Sequence, residues 1–283
     1  MVGVTKAGTT SLHTLLDQHP NISMSRVKEP HFFTDKIVQT NLNSNHSQLI
    51  RSQEEYAGLF ERREEYLYYG EASPSYFWDE GSAAKIFAYN SKSKIVIILR
   101  DPIARAFSHY HMDFEAGRET NSSFLQALKK DSMVEPRIWG TARLYLDLGF
   151  YATGIDRFRT VFGPENVKVF FFESFFDSLE DHMKQIWHFL GLPPHPVDSK
   201  IENQSTYHNS ITKTLKKTGL GKHLPSSLKK NIKKISTKKN PTPSQKEISF
   251  LYDTYKLDLQ KMQSILGTSF YGDHFAQKYD LRI

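Results

Sequence analysis

Apolar residues in this chain recur in two rhythms. Short β-branched or aromatic runs at residues 1–5, 94–99 (KIVIIL) and 167–172 (VKVFFF) read as strands, the last two as strands buried on both faces. Between them apolar residues return at helical spacing: Leu12, Leu15 and Leu16 after the first run, and Met183, Ile186, Trp187 and Leu190 after the third. Asp101 and Pro102 end the KIVIIL run and put a proline in the first turn of a helix, while Gly191 caps the helix ending at Leu190. Strands alternating with helices predict an α/β fold in three layers, a central parallel sheet flanked by helices.

The rhythm changes at Pro193. Residues 193–206 are polar and turn-rich, a Lys-rich stretch follows, and a break at residues 240–243 (NPTP) precedes a last helix over 244–266. The expectation is one domain over residues 1–283, with a core at 1–192 and a basic segment plus C-terminal helix at 193–283. No apolar run approaches the ~20 residues of a membrane-spanning helix. The 283 residues include 20 Phe and 14 Tyr, enough large side chains for a sizeable core, so a wholly disordered chain is excluded. Cysteine is absent, which excludes disulfides, thiolate metal sites and cysteine nucleophiles and predicts a reducing, cytoplasmic setting.

The net charge of +6 is uneven. Between Lys213 and Lys239 stand ten Lys and no Asp or Glu, leaving 27 basic against 31 acidic residues elsewhere. Such a segment suits a polyanion or a peripheral anionic membrane, and it is equally the composition of a solvated loop.

The strongest local signal is Gly3-Val-Thr-Lys6-Ala7-Gly8-Thr9-Thr10-Ser11, set between a predicted strand and a predicted helix. Backbone amides at a Gly-rich turn and at a helix N-terminus make an anion cradle, to which Lys6 adds charge and Thr9, Thr10 and Ser11 add hydroxyl groups. The spacing matches the start of a nucleotide P-loop, but Thr9 stands where that motif has Lys. The cradle therefore suits a 5′-phosphate better than a triphosphate with Mg²⁺. A plain glycine turn with a Thr N-cap is the ordinary alternative. A second anion site is expected where KIVIIL ends, because ligands gather at the C-terminal edge of parallel strands. Arg100 sits at that edge, and Ser108 lies about two turns along the next helix.

Together these segments resemble the sulfotransferases that use 3′-phosphoadenosine 5′-phosphosulfate (PAPS). In that family a T-K-x-G-T-[ST] loop holds the 5′-phosphosulfate and an L-R-D-P-x-x-R-x-x-S-x-Y segment holds the 3′-phosphate. Both occur here in order, at Thr5 to Thr10 and at Leu99 to Tyr110. Residues 70–76 (GEASPSY) and 149–192 resemble further family segments, so the likeness covers residues 2–194. The resemblance implies a P-loop-like fold and PAPS as donor, held by Lys6, Ala7, Gly8, Thr9, Thr10, Ser11, Arg100 and Ser108, with no metal required.

The nearest type is that of the heparan sulfate (glycosaminoglycan) and bacterial enzymes. Residues 28–33 (KEPHFF) resemble the E-x-H-F-F stretch that supplies their catalytic base. By that match Glu29 is the base, His31 supports it and Lys6 joins the catalytic set, with Phe32 and Phe33 expected as an apolar wall that raises the Glu29 pKa. Residues 70–77 contain no His, which disfavours the phenol and steroid type. The chain departs from the family at Glu71-Ala72-Ser73, where a Lys is usual, and at the C-terminal Lys-Gly-Arg loop. Residues 203–210, with Asn209 in place of Arg, and Lys213, Lys216 and Lys217 are the candidate replacements.

The implied reaction is sulfuryl transfer to a hydroxyl acceptor, a glycan by family likeness, with no nucleic acid as partner. Trp139, Tyr145 and Tyr151 could stack on a sugar ring, but core packing is the commoner role for each. Two other readings stand beside this one: a P-loop kinase or NTPase with Asp101 binding Mg²⁺, and a non-catalytic polyanion- or membrane-binding protein acting through Lys213 to Lys239.

Overall fold

The computed structural model describes residues 1–38, 48–198 and 241–282. The chain runs β1 (Val2–Gly3), α1 (Thr9–Leu16), β2 (Ile22–Met24), α2 (Gln53–Ala57), β3 (Tyr68–Gly70), α3 (Ser75–Trp78), α4 (Ser82–Tyr89), β4 (Ile95–Leu99), α5 (Pro102–Glu115) and α6 (Phe124–Asp131). It continues through α7 (Ala152–Phe162), β5 (Val167–Phe171), α8 (Phe172–Phe175), α9 (Leu179–Leu190), α10 (Gln245–Leu266) and α11 (Phe270–Tyr279). The basic stretch from Lys213 to Lys239 and the candidate closing residues 203–210 lie outside the described residues.

The architecture is α/β with parallel strand pairing throughout the described residues. The single expected sheet is drawn as two, β1-β4-β5 and β2-β3. At the junction the Met1 ammonium donates to the Glu71 carbonyl oxygen at 2.6 Å, and burial pushes its pKa down. A cavity of about 740 Å³ opens between β3 and β4, lined by Met1, Tyr56, Tyr68, Gly70 and Val96 among others. None of the candidate site residues lines it.

β4 is buried at every position, as a central strand of β-branched residues should be. β5 corrects the expectation of a second fully buried strand. It is the edge of its sheet, and Lys168, Val169 and Phe171 are only half-buried.

Local chemistry sets the helix boundaries. Asp101 caps α5, its Oδ1 accepting from the amides of Ile103 (2.9 Å) and Ala104 (3.1 Å), with Pro102 in the first turn. Gly191 ends α9 in the left-handed region at φ 66°. Ser244 and Glu247 form a capping box at the start of α10.

The two C-terminal helices are tied to the core by carboxylates as well as apolar packing. Leu251, Tyr255, Leu259 and Met262 of α10 belong to the same hydrophobic cluster as Val2 and Ile97. Asp258 of α10 accepts from the Tyr151 and Ala152 amides at 2.6 and 3.2 Å, placing negative charge at the N-terminus of α7. The helix α11, absent from the sequence expectation, stacks Phe270 on Phe171 at 4.4 Å.

Candidate active site

The phosphate loop is a tight turn between β1 and α1. The Ala7 amide donates to the Val4 carbonyl oxygen at 3.1 Å, and Lys6 and Gly8 both take positive φ, 75° and 81°. Gly8 is required twice over, since its conformation is left-handed and a Cβ there would sit 2.8 Å from the Phe176 ring. Gly8 is also the N-cap of α1, with no side chain capping that end. The expected alternative of a Thr N-cap is thus not what the loop adopts, and the first-turn amides of α1 are left to the loop. Thr9 and Ser11 are buried at the helix start and Thr10 is exposed, while the buried Thr5 Oγ1 has no partner among the described residues.

Arg100 leaves the end of β4 and turns back to this loop. Its Nη1 donates to the Lys6 carbonyl oxygen at 2.8 Å, and its guanidinium lies 4.6 Å from the centre of the Phe172 ring. The Arg100 Nε is buried without a partner among the described residues. The Lys6 ammonium lies 3.7 Å from Met112 Sδ on α5. Ser108, half-buried, is one turn before Met112 and shares that helix face. Burial lowers the Lys6 pKa, and the Arg100 charge lowers it further. Lys6 and Arg100 thus put two positive charges at the C-terminal ends of β1 and β4, where an anion is favoured.

Asp101 points away from this site. Its Oδ1 caps α5, and its Oδ2 accepts from Lys278 (2.7 Å), Tyr279 (2.7 Å) and His274 (3.2 Å) of α11. Burial alone would raise its pKa, but these donors outweigh burial and hold the carboxyl well below its usual range. Asp101, Glu173 and His274 do bring three ligand atoms within 4.8 Å of one another, yet the Lys278 ammonium already occupies the Asp101 oxygen. The carboxylate assigned to Mg²⁺ in the NTPase reading is instead the latch of α11.

Glu29 and His31 lie on the loop that follows β2. That loop is docked by the Ser25 amide on the Gly70 carbonyl oxygen (2.8 Å) and the Ala72 amide on that of Lys28 (3.3 Å). Glu29 Oε1 accepts from the nearly buried Lys28 ammonium at 2.5 Å, and Oε2 lies 3.8 Å from His31 Nε2. The His31 ring is fully buried, and burial lowers its pKa to about 4. Its Nδ1 meets Ser75 Oγ at 2.7 Å, and its amide donates to Ser73 Oγ at 3.1 Å. This cluster adjoins the phosphate-loop helix: His13, one turn into α1, has its pKa lowered to about 4 by burial and then by the Lys28 charge.

One detail of the expected site is corrected, and the core reading holds for two of the three candidate rings. Phe32 and Phe33 do not wall off Glu29: Phe32 stacks on Tyr56 at 4.4 Å, Phe33 packs edge-on to Tyr56 and Tyr76, and the Glu29 side chain keeps 24% exposure. Tyr145 and Tyr151 are fully buried, their hydroxyl groups donating to Asp113 Oδ2 (3.1 Å) and the Arg100 carbonyl oxygen (2.6 Å), so neither offers a stacking face. Trp139 is different, half-buried and 6.0 Å from the His31 ring, with its backbone pinned to Lys36 and Val38. The ordinary alternative for Glu29, an ion pair with the adjacent Lys28, forms at 2.5 Å, whereas Ser73 and Ser75 were passed over. The serines carried no signal, because their role depends on a contact more than 40 residues away.

The α/β fold thus places a glycine turn at a helix N-terminus against a strand-end arginine, and a partly exposed carboxylate 3.8 Å from a buried imidazole. The model of the sulfotransferase domain family matches residues 1–265, and the chain belongs to that family. It is 24% identical over 272 residues to a bifunctional heparan sulfate N-deacetylase/N-sulfotransferase 4 of Mus musculus, covering 94% of this chain and 30% of the relative. A heparan sulfate glucosamine 3-O-sulfotransferase 3A1 of Mus musculus is 34% identical over 110 residues, 39% of this chain and 25% of the relative. The chain thus spans less than a third of the length of either. Among solved structures, a sulfotransferase from Alicyclobacillus acidocaldarius superposes with a TM-score of 0.70 at 25% identity, covering 94% of this chain and 95% of that one.

Proposed function

We propose that this protein, as a single domain, transfers a sulfuryl group from PAPS to a hydroxyl group of a carbohydrate. The observation that supports the reading is the Arg100–Lys6 contact, which sets the strand-end arginine against the phosphate-loop turn with its Nε unpartnered among the described residues. In this reading Lys6, the amides of Ala7, Gly8, Thr9 and Thr10, and the Ser11 hydroxyl hold the 5′-phosphosulfate. Arg100 and Ser108 hold the 3′-phosphate. When bound, the donor supplies an activated sulfuryl group and leaves as the bisphosphate.

The protein's part is to hold charge and take a proton. Lys6 and the loop amides stabilise negative charge on the phosphate side. Glu29 accepts the acceptor proton as the new O–S bond forms. A carboxylate oxygen carries two lone pairs, so Oε1 can receive a hydroxyl proton while still paired to Lys28. The carbohydrate class is supported by the names of the relatives and by Trp139, a half-exposed ring beside His31. Incubating the protein with radiolabelled PAPS and a panel of glycans, lipids and small alcohols tests the assignment. Label on a glycan from wild type and none from Glu29→Gln is expected. Label on no hydroxyl acceptor overturns it.

A further inference from the structure

Resting on the nucleotide role read for Arg100, we propose that Glu173 is a positioning residue: it pins the peptide joining Arg100 to Asp101 and so sets the direction in which the guanidinium leaves β4. The geometry begins where the strand ends. β4 stops at Leu99, and the Arg100–Asp101 peptide lies between it and the first turn of α5. Its carbonyl and amide need partners from outside the sheet ladder. Side chains of two other elements supply them. The Tyr151 hydroxyl, at the start of α7, donates to the Arg100 carbonyl oxygen at 2.6 Å. Glu173 Oε1, on α8, accepts from the Asp101 amide at 2.8 Å.

A peptide unit is a rigid plane that turns about its two ends as one body, with its carbonyl and amide pointing in opposite directions. The cap of α5 does not stop that turn, because the Ile103 and Ala104 amides meet the Asp101 side chain, beyond the Asp101 Cα. Hydrogen bonds on both sides of the plane do stop it. The same corner of the chain also steadies the Arg100 side chain. Phe172, next to Glu173, lays its ring 4.6 Å from the guanidinium, whose Nη1 reaches the Lys6 carbonyl oxygen at 2.8 Å. Burial, and then the Asp101 charge, raise the Glu173 pKa. In either protonation state a carboxyl oxygen remains to accept the Asp101 amide. Glu173 therefore acts through the backbone of Arg100 and not on the nucleotide.

Two measurements on the full chain test this. Nitrogen-15 NMR of the Arg100 Nε–H, assigned by its loss in Arg100→Lys, reads the positioning itself, and calorimetry with adenosine 3′,5′-bisphosphate and AMP reads its consequence. Glu173→Ala is expected to shift or broaden the Arg100 signal and to weaken the bisphosphate about tenfold, with AMP bound as in wild type. Glu173→Gln, which keeps an acceptor oxygen, is expected to restore both. Tyr151→Phe removes only the hydroxyl on the other side of the peptide and is expected to repeat the selective loss, which covers the case in which Glu173→Ala does not fold. An Arg100 signal identical to wild type in the variant that folds overturns the proposal. Where wild type prefers the bisphosphate, equal losses for the two nucleotides overturn it too. A wild type without that preference removes the nucleotide role of Arg100, and the Arg100 signal still decides what Glu173 does, so the two failures are separable.

Discussion

Arg100 Nη1 donates to the Lys6 carbonyl oxygen at 2.8 Å, and this bond makes one unit of two segments that lie 94 positions apart. The phosphate loop takes positive φ at Lys6, and a guanidinium on its carbonyl holds that turn in place. Burial first, and the Arg100 charge second, make Lys6 lose its proton more readily than a free lysine. A ligand bearing two phosphates would offset both charges.

Lys6→Ala is expected to abolish both nucleotide binding and turnover, since it removes the charge at the shared junction. Arg100→Ala is expected to weaken adenosine 3′,5′-bisphosphate more than AMP, by the roughly tenfold or more that a charge-assisted hydrogen bond contributes. Thermal-shift titrations of both variants with both nucleotides read this. Equal losses for the two nucleotides in Arg100→Ala would remove the 3′-phosphate role.

Glu29→Gln keeps the shape of the side chain and an acceptor oxygen beside Lys28 or His31. It is expected to retain bisphosphate affinity while turnover falls at least about a hundredfold, the lower range of a general base. Single-turnover assays beside calorimetry separate the two effects. A variant with wild-type turnover would sink the base assignment.

Much of the site was legible because its parts are local in sequence. The Gly3 to Ser11 loop and the Arg100 to Ser108 segment each carry their own strand-to-helix setting, and β4 announces itself as five consecutive apolar residues. The β2–β3 pair was not legible, because three-residue strands such as Ile22–Met24 and Tyr68–Gly70 are too short to show a period. The environment of Glu29 was misjudged for a related reason. Neighbours in sequence, Phe32 and Phe33, turn toward Tyr56, whereas Ser75 arrives from another element. The latch on Asp101 was likewise invisible, since its donors come from α11, more than 170 positions away.

Asp101→Asn is expected to destabilise the fold by about 1.5–3 kcal/mol, because the buried carboxylate loses its charge-assisted hydrogen bonds from Lys278, Tyr279 and His274 while the half-exposed Lys278 stays solvated. Urea denaturation followed by circular dichroism measures it. The same variant discriminates the nucleotide readings. Stabilisation of wild type by ATP with Mg²⁺ that vanishes in Asp101→Asn would favour an NTPase, and no such effect is expected.

Glu71 gives a pH prediction. Burial raises its pKa from 4.5 to about 7, so the folded state binds this proton more tightly and the group's contribution to stability falls as pH rises from 4.5 to 7. His13 and His31, lowered from 6.5 to about 4, act oppositely, since the unfolded chain takes up their protons and stability rises with pH over that window. Glu71→Gln removes the first effect alone. Its stability relative to wild type is expected to grow by up to about 3 kcal/mol between pH 4.5 and 7.5. A constant difference across that range in urea titrations would contradict the assigned burial.

Calorimetric titration of the wild-type protein with adenosine 3′,5′-bisphosphate and with AMP bears most directly on the nucleotide role proposed for Lys6 and Arg100. The bisphosphate is expected to bind at least about tenfold tighter, with the preference lost in Arg100→Ala. Equal affinity for the two nucleotides would contradict the account.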